Sequence, residues 1–428
     1  MRSRLLAWPG SQGQDANPDH DDHSSDDGPW SLSAHGAALD HTRSKHEPGE
    51  SDHHQDQADG ASHRTEFPHA PSLPCRTVRG DGADPEPRNT DKTHDADKAH
   101  DADYASFLPV AASWGVLMAA PRLVSVLTEN WTLSDPRDLG CLVRMAQEAE
   151  DSGFDMVMVS DHVLLGPSAG SAGRMANPRD YAMPGNQDPR TAWPSNVVLL
   201  SAMAQATSRI RLGAIALIAP LRHPLVLAHD LAALDLLSKG RLVIQPTVSW
   251  HRDEYQAIGI DFHKRGRILD EQLEILRLAW AQSPATYRGE FFSFADVYLE
   301  PKPWLPHGPA MWFGGEQVHG KIVERLIRYG SGFHPVGRVM AEDIDRLREL
   351  LAKAGRATDD FEMVGGTRVD FPDAHSCAPL PQALEEIPRQ MSLGFTTFCI
   401  KPSIFIDDID KHRAFCEEVV ARVEGLTR

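Results

Sequence analysis

The stretch 209–267 restricts the fold more than any other part of the chain. Two apolar runs, 210–218 and 242–244 continuing to Val248, are bounded by turn residues and show no polar alternation. Such runs suit parallel strands buried on both faces. Between them, residues 225–237 carry apolar side chains at helical spacing and end at Ser238-Lys239-Gly240, with Gly240 placed to cap the helix. The result is a strand–helix–strand unit with short connections. Its polar residues cluster after each strand: Arg222, His223 and Pro224 after the first, Thr247, Ser249, Trp250 and His251 after the second. Parallel α/β folds bind ligands at that end.

The same alternation extends along the chain. Strands are expected at 114–118, 154–159, 311–313, 332–334, 361–369 and 397–400, each followed by a helical pattern. Ser134-Asp135-Pro136 gives an N-cap signal for the first helix, which runs to Gly153. Further helices fall at 195–206, 264–280, 318–329, 341–354, 380–391 and 405–423. With the two strands of the opening unit the count is eight, which predicts an α/β chain folded as a (β/α)8 TIM barrel. Two insertions decorate it: a Gly- and Pro-rich loop at 163–192, placed to cover the barrel mouth, and a hairpin at 286–299 around Gly289-Glu290.

Residues 1–105 are different in kind. They are rich in Asp, His, Ser, Gly and Pro, and hold about eleven of the net 18 negative charges and about half of the 21 histidines. So little apolar surface cannot offset chain entropy, and the segment is expected to be a disordered tail ahead of a barrel domain at 106–428. His53-His54 and the Thr93-His94-Asp95 and Ala99-His100-Asp101 echo suggest metal binding, against which stands a plain solvated tail. A start codon near Val110 would make the tail a gene-model artefact, which an intact mass near that of the full chain would refute. The acidic balance argues against nucleic acid or anionic membrane as a partner. No apolar run reaches membrane-spanning length, the N-terminal apolar patch is too short for a signal peptide, and the five cysteines form no C-x-x-C pair. A cytoplasmic location is the expectation.

Arg209-Ile210-Arg211-Leu212-Gly213, Leu221-Arg222-His223-Pro224, Gly240-Arg241-Leu242 and Trp250-(x)3-Glu254-Tyr255-(x)3-Gly259 resemble the luciferase-like monooxygenase superfamily, most closely the branch that uses coenzyme F420, a deazaflavin. The resemblance covers about 113–423 and rests on order and spacing. It implies a barrel that binds a flavin-type ring at its C-terminal strand ends, with FMN as the alternative cofactor. It also implies a small organic substrate, frequent homodimers and, for an FMN monooxygenase, a separate flavin reductase. A flavin-storing barrel without catalysis is the third reading.

Four groups of residues are candidates for the site. Asp161-His162 ends the second strand. The resemblance places the pair beside the ring, with His162 handling a proton and Asp161 orienting it; an imidazole is suited to that near neutrality. Gln245, Thr247 and Ser249, followed by Trp250, stand where relatives carry G-x-G-x-G-W, so their side chains would meet the cofactor or narrow its pocket. Gly314 and Gly315, with Glu316, open a helix whose N-terminus would favour a phosphate. Ala216 lies in the strand where the family often has a cis peptide behind the ring. Asp253 and Glu254 are expected to face solvent or to pair with Arg265 or Arg267.

Overall fold

The computed structural model describes residues 120–315, 317–335 and 340–426. The expected tail at 1–105 and the expected strand at 114–118 lie outside these residues. Eight parallel strands close into a barrel: β1 (Arg122–Val126), β2 (Met156–Val159), β3 (Arg211–Ile218), β4 (Leu242–Thr247), β7 (Ala310–Phe313), β8 (Gly332–Phe333), β9 (Glu362–Gly366) and β10 (Thr397–Ile400). The remaining two strands, β5 (Ala285–Arg288) and β6 (Ser293–Val297), form the expected antiparallel hairpin. The chain is thus a TIM barrel with a hairpin insertion, and among the described residues its first strand is β1.

Strand alternation builds two cores. Val124, Val126, Met156, Met158, Val243 and Trp312 fill the barrel interior, while Leu123, Val157, Val159, Leu242 and Ile244 pack outward under the helices. In β3 the parity changes: Ile215 belongs to the interior but Leu217 to the outer core. The register with β4 shifts between Ala214 and Leu217, and the Ile215–Ala216 peptide within that step is cis. At the opposite end of the barrel Glu362 receives Arg211 in two bonds of 3.0 Å, Thr397 at 2.8 Å and Arg122 at 3.1 Å. Burial opposes that carboxylate's charge, but Arg211 and Arg122 hold its pKa below the usual value. This ionic floor leaves the opposite mouth for a ligand.

Helix ends depart from the sequence pattern where side chains supply caps. The first helix, α1 (Leu139–Ser152), is capped by Asp138, whose carboxylate accepts from Cys141 N; Asp135 instead binds Arg137 in the preceding turn. The helix of the opening unit, α3 (Pro224–Ser238), ends on Lys239 in the left-handed conformation at φ 54°, one residue before the expected Gly240. The segment 380–391 is broken into α8 (Leu380–Leu384) and α9 (Glu386–Ser392). The last helix, α10 (His412–Leu426), starts seven residues later than expected, because short turns at Pro402–Ile404 and Ile409–Lys411 precede it. Among the described residues no helix is long and apolar enough to cross a membrane.

Candidate active site

A cavity of about 270 Å³ opens at the C-terminal strand ends. Val126, Met158, Ile215, Ala216 and Ile218 give it an apolar wall; His162, Gln245, Thr247, Ser249, Trp250 and His334 add polar and aromatic groups. Of the residues expected at the site, Asp161, His162, Ala216, Thr247, Ser249 and Trp250 are therefore brought together. Gly314 and Gly315 are not among its lining residues, and Glu316 lies outside the described ones.

Asp161 and His162 do different things. Both carboxylate oxygens of Asp161 are engaged by Arg222, at 2.7 and 2.9 Å, and one also accepts from Ile218 N at 2.9 Å. This bidentate pair ties the end of β2 to the end of β3, so Asp161 does not orient its neighbour. The group facing His162 is Glu254, with Oε2 3.3 Å from Nδ1. Glu254 is fully buried, and its other oxygen accepts from Val163 N at 2.6 Å and Leu164 N at 3.3 Å. The expectation that Glu254 faces solvent or pairs with arginine is overturned: Arg265 bonds Ser249 O and Arg267 pairs with Glu290. A carboxylate accepting from Nδ1–H leaves Nε2 as the histidine's free proton acceptor.

Glu254 belongs to α4 (Arg252–Ile258), whose start grips the loop 163–192 through three side chains. His251 Nε2 accepts from Gly166 N at 2.7 Å, and Asp253 accepts from Ser168 N at 2.8 Å. Burial pushes the pKa of His251 below its usual value, in keeping with a neutral ring acting as acceptor. Farther along the loop, Asn177 donates to Asp373 O and Ser376 O, so the loop is pinned again beyond β9. Trp193, from the end of this loop, meets the His162 ring edge-on at a centroid separation of 5.0 Å.

The three departures from the glycine pattern separate by backbone. Gln245 and Thr247 lie within β4, in ordinary strand conformation. Ser249 adopts φ 58°, a region glycine enters more easily. Gln245 Oε1 lies 2.7 Å from His334 Nδ1, which makes that nitrogen the donor. Burial lowers the His334 pKa to about 4, so the ring is neutral at pH 7. The Gln245 amide nitrogen makes no hydrogen bond among the described residues. Tyr255 OH donates to Val248 O and steadies the strand end.

Gly314 has a structural reason of its own. A Cβ there would come within 1.8 Å of His334 O, so the close passage of the β8 strand end requires glycine. The helix after it, α6 (Gly320–Tyr329), begins only at Gly320.

Several residues of the mouth escaped the sequence pattern. Glu129 takes φ 70°, lines the cavity and accepts from Ala182 N at 2.9 Å. Lys401 is fully buried with Nζ 3.8 Å from Glu129; burial lowers its pKa to about 8, opposed chiefly by Glu129. Arg368, two residues past β9, and His334, one past β8, fell inside the expected strands 361–369 and 332–334 and were not singled out as site residues. The Trp250-(x)3-Glu254 spacing was the one usable signal, since it puts Glu254 on the first turn of a helix that starts at a strand end.

The mouth of the closed parallel barrel thus carries an amphiphilic cavity and a carboxylate-backed histidine. The family model for luciferase-like monooxygenases matches residues 121–373, and the chain belongs to that family. An uncharacterized protein of Mycobacterium tuberculosis is 33% identical over 214 residues, 49% of this chain and 73% of the relative. The FMNH(2)-dependent dimethylsulfone monooxygenase of Pseudomonas fluorescens is 35% identical over 111 residues, 25% of this chain and 30% of that protein. Among solved structures, the monooxygenase RslO1 from Streptomyces bottropensis aligns over 70% of this chain and 99% of its own, with TM-score 0.53 and 19% identity. An F420-dependent secondary alcohol dehydrogenase aligns over 71% and 99%, with TM-score 0.52 and 16% identity. The last two likenesses concern the fold.

Proposed function

We propose that the protein is a coenzyme F420-dependent oxidoreductase that moves a hydride to or from a small organic substrate in this cavity. The observation that carries the reading is His162 at the cavity wall, backed on Nδ1 by a fully buried carboxylate. Met158, Ile215 and Ala216 offer an apolar face to a planar ring, and the unpaired amide of Gln245 and the hydroxyl of Thr247 offer hydrogen bonds to its edge. These residues fit a flavin-type group, polar along its edges and apolar on its faces. When bound, such a group supplies the hydride chemistry.

The chain's own contribution is then positional. Glu254 holds His162 with Nε2 available, so Nε2 takes up or gives back the proton that accompanies hydride transfer. Trp193 and Trp250 flank that imidazole and exclude water from it. Ser249 and Ala216 line the same cavity and would face a bound cofactor. Gly314 and Gly315 do not line the cavity and carry no phosphate role in it.

A second reading, an FMN monooxygenase fed by a separate reductase, is favoured by the named activity of the dimethylsulfone monooxygenase relative. Parallel fluorescence titrations of the full chain with oxidised F420 and with FMN separate the two. Preference for F420 by tenfold or more, roughly 1.4 kcal/mol, supports the first reading. The reverse preference, with oxygen uptake coupled to product, overturns it.

A further inference from the structure

Charge around the cavity is matched almost throughout. Asp161 pairs with Arg222, Arg389 with Glu386 at 2.8 Å, and Glu129 with the buried Lys401. His334 is held neutral against Gln245. Arg368 is different. It lines the cavity and is partly buried, yet among the described residues it makes no hydrogen bond and no ion pair. Its guanidinium carbon instead sits 5.3 Å from the centroid of the Tyr181 ring, another lining residue. An arginine keeps its charge at any ordinary pH, and a planar fork laid on an aromatic ring is ordered before anything binds. A partly desolvated cation with no protein acceptor among the described residues gains most from a ligand that supplies acceptors.

We infer that the molecule occupying this cavity carries an anionic group, a carboxylate, sulfonate or phosphate, that Arg368 receives as its counter-ion, with Tyr181 positioning the guanidinium. The inference deepens the oxidoreductase reading by naming a ligand class, and rests on it for the cavity's role. The anion belongs either to a flavin-type cofactor's phosphate or to the substrate itself; the chemistry at Arg368 is the same.

The test uses the full chain, wild type, Arg368→Met and Arg368→Lys, with circular dichroism confirming the fold of each. Four probes are titrated: FMN, riboflavin (the same ring without phosphate), benzoate and benzyl alcohol. Losing a charge-assisted bidentate contact is expected to weaken an anionic probe roughly tenfold or more in Arg368→Met. The neutral counterpart is unaffected, and Arg368→Lys falls between. Loss for FMN alone assigns the anion to the cofactor; loss for benzoate alone assigns it to the substrate. If wild type binds benzoate through Arg368 but neither flavin nor F420, this inference stands while the oxidoreductase reading fails. Affinities of all four probes within twofold across the three proteins overturn it, as does a wild type that binds neither anion. Should Arg368→Met fail to fold, Arg368→Lys alone decides by the same comparison.

Discussion

The strand ends at β4 and β7 invite the same reading from sequence and are built for opposite reasons. After β7 the chain has Gly314-Gly315, and after the middle of β4 it has Gln245, Thr247 and Ser249 where small residues are usual. In the structure the glycine at 314 is demanded by a neighbouring main chain, with His334 O occupying the space of a Cβ. The polar residues of β4 instead line the cavity, and one of them fixes His334. A glycine thus reports a close approach without saying whose, whereas a polar side chain at a parallel strand end points to a ligand or a partner.

The contrast is sharpest if the two ends respond differently to mutation. At the cavity, His162→Ala is expected to lower turnover by about 10²–10⁴-fold, the usual share of a proton-handling residue, with cofactor affinity held. Steady-state kinetics beside a binding titration checks this, and a parallel loss of binding would make His162 a wall residue instead. At β7, Gly314→Ala should destabilise the fold by about 3 kcal/mol, in the range of overpacked sites, seen as a lower urea midpoint. Unchanged stability with weaker FMN binding would return position 314 to a phosphate role.

Glu254→Gln tests the link behind His162. Replacing the carboxylate by an amide should cost about 1.5–3 kcal/mol of stability and lower kcat with cofactor affinity held, because the imidazole loses the acceptor that fixes its orientation. An unchanged kcat would leave Glu254 a loop anchor only.

The histidines predict a pH response. His251 and His334 have folded values below the usual 6.5, the latter about 4. In that window the unfolded chain binds more protons than the folded one, so stability falls as pH drops through 6.5 toward 4. Urea midpoints at pH 7.5 and 5.5 should show the decline, and His251→Gln, which retains an acceptor for Gly166 N, should reduce it. The smallest effect is expected at Ser249→Gly: relief of the left-handed conformation raises stability by at most about 1 kcal/mol, with the cavity wall otherwise intact.

Much of the fold could be read in advance because its signals are local. Apolar runs, helical spacing and turn residues located seven of the eight barrel strands and the hairpin. The expected strand at 114–118 lies outside the described residues, and β1 was not singled out because Arg122 and Ser125 interrupt its apolar run. Half of the mouth was legible too, since Thr247 ends β4 and Asp161, His162, Ser249 and Trp250 follow strand ends within three residues. The pairings were not. Asp161 finds Arg222 61 residues away, His162 finds Glu254 92 residues away, and Lys401 finds Glu129 from the far end of the chain. Such partners are set by barrel closure, which carries no short-range signature.

The hold of α4 on the loop 163–192 bears on what sequence change this family member can tolerate. Glu254, His251 and Asp253 bind the loop's backbone N–H groups at Val163, Leu164, Gly166 and Ser168, and Asp253 also takes the Ser168 side chain. At 163 and 164 any residue except proline offers the same donor, so those positions are free to drift. Position 166 is not, because a Cβ there would lie 2.3 Å from the Cβ of Asp253. A lid fastened by its backbone can be rewritten for a new substrate while the histidine beneath it stays in place.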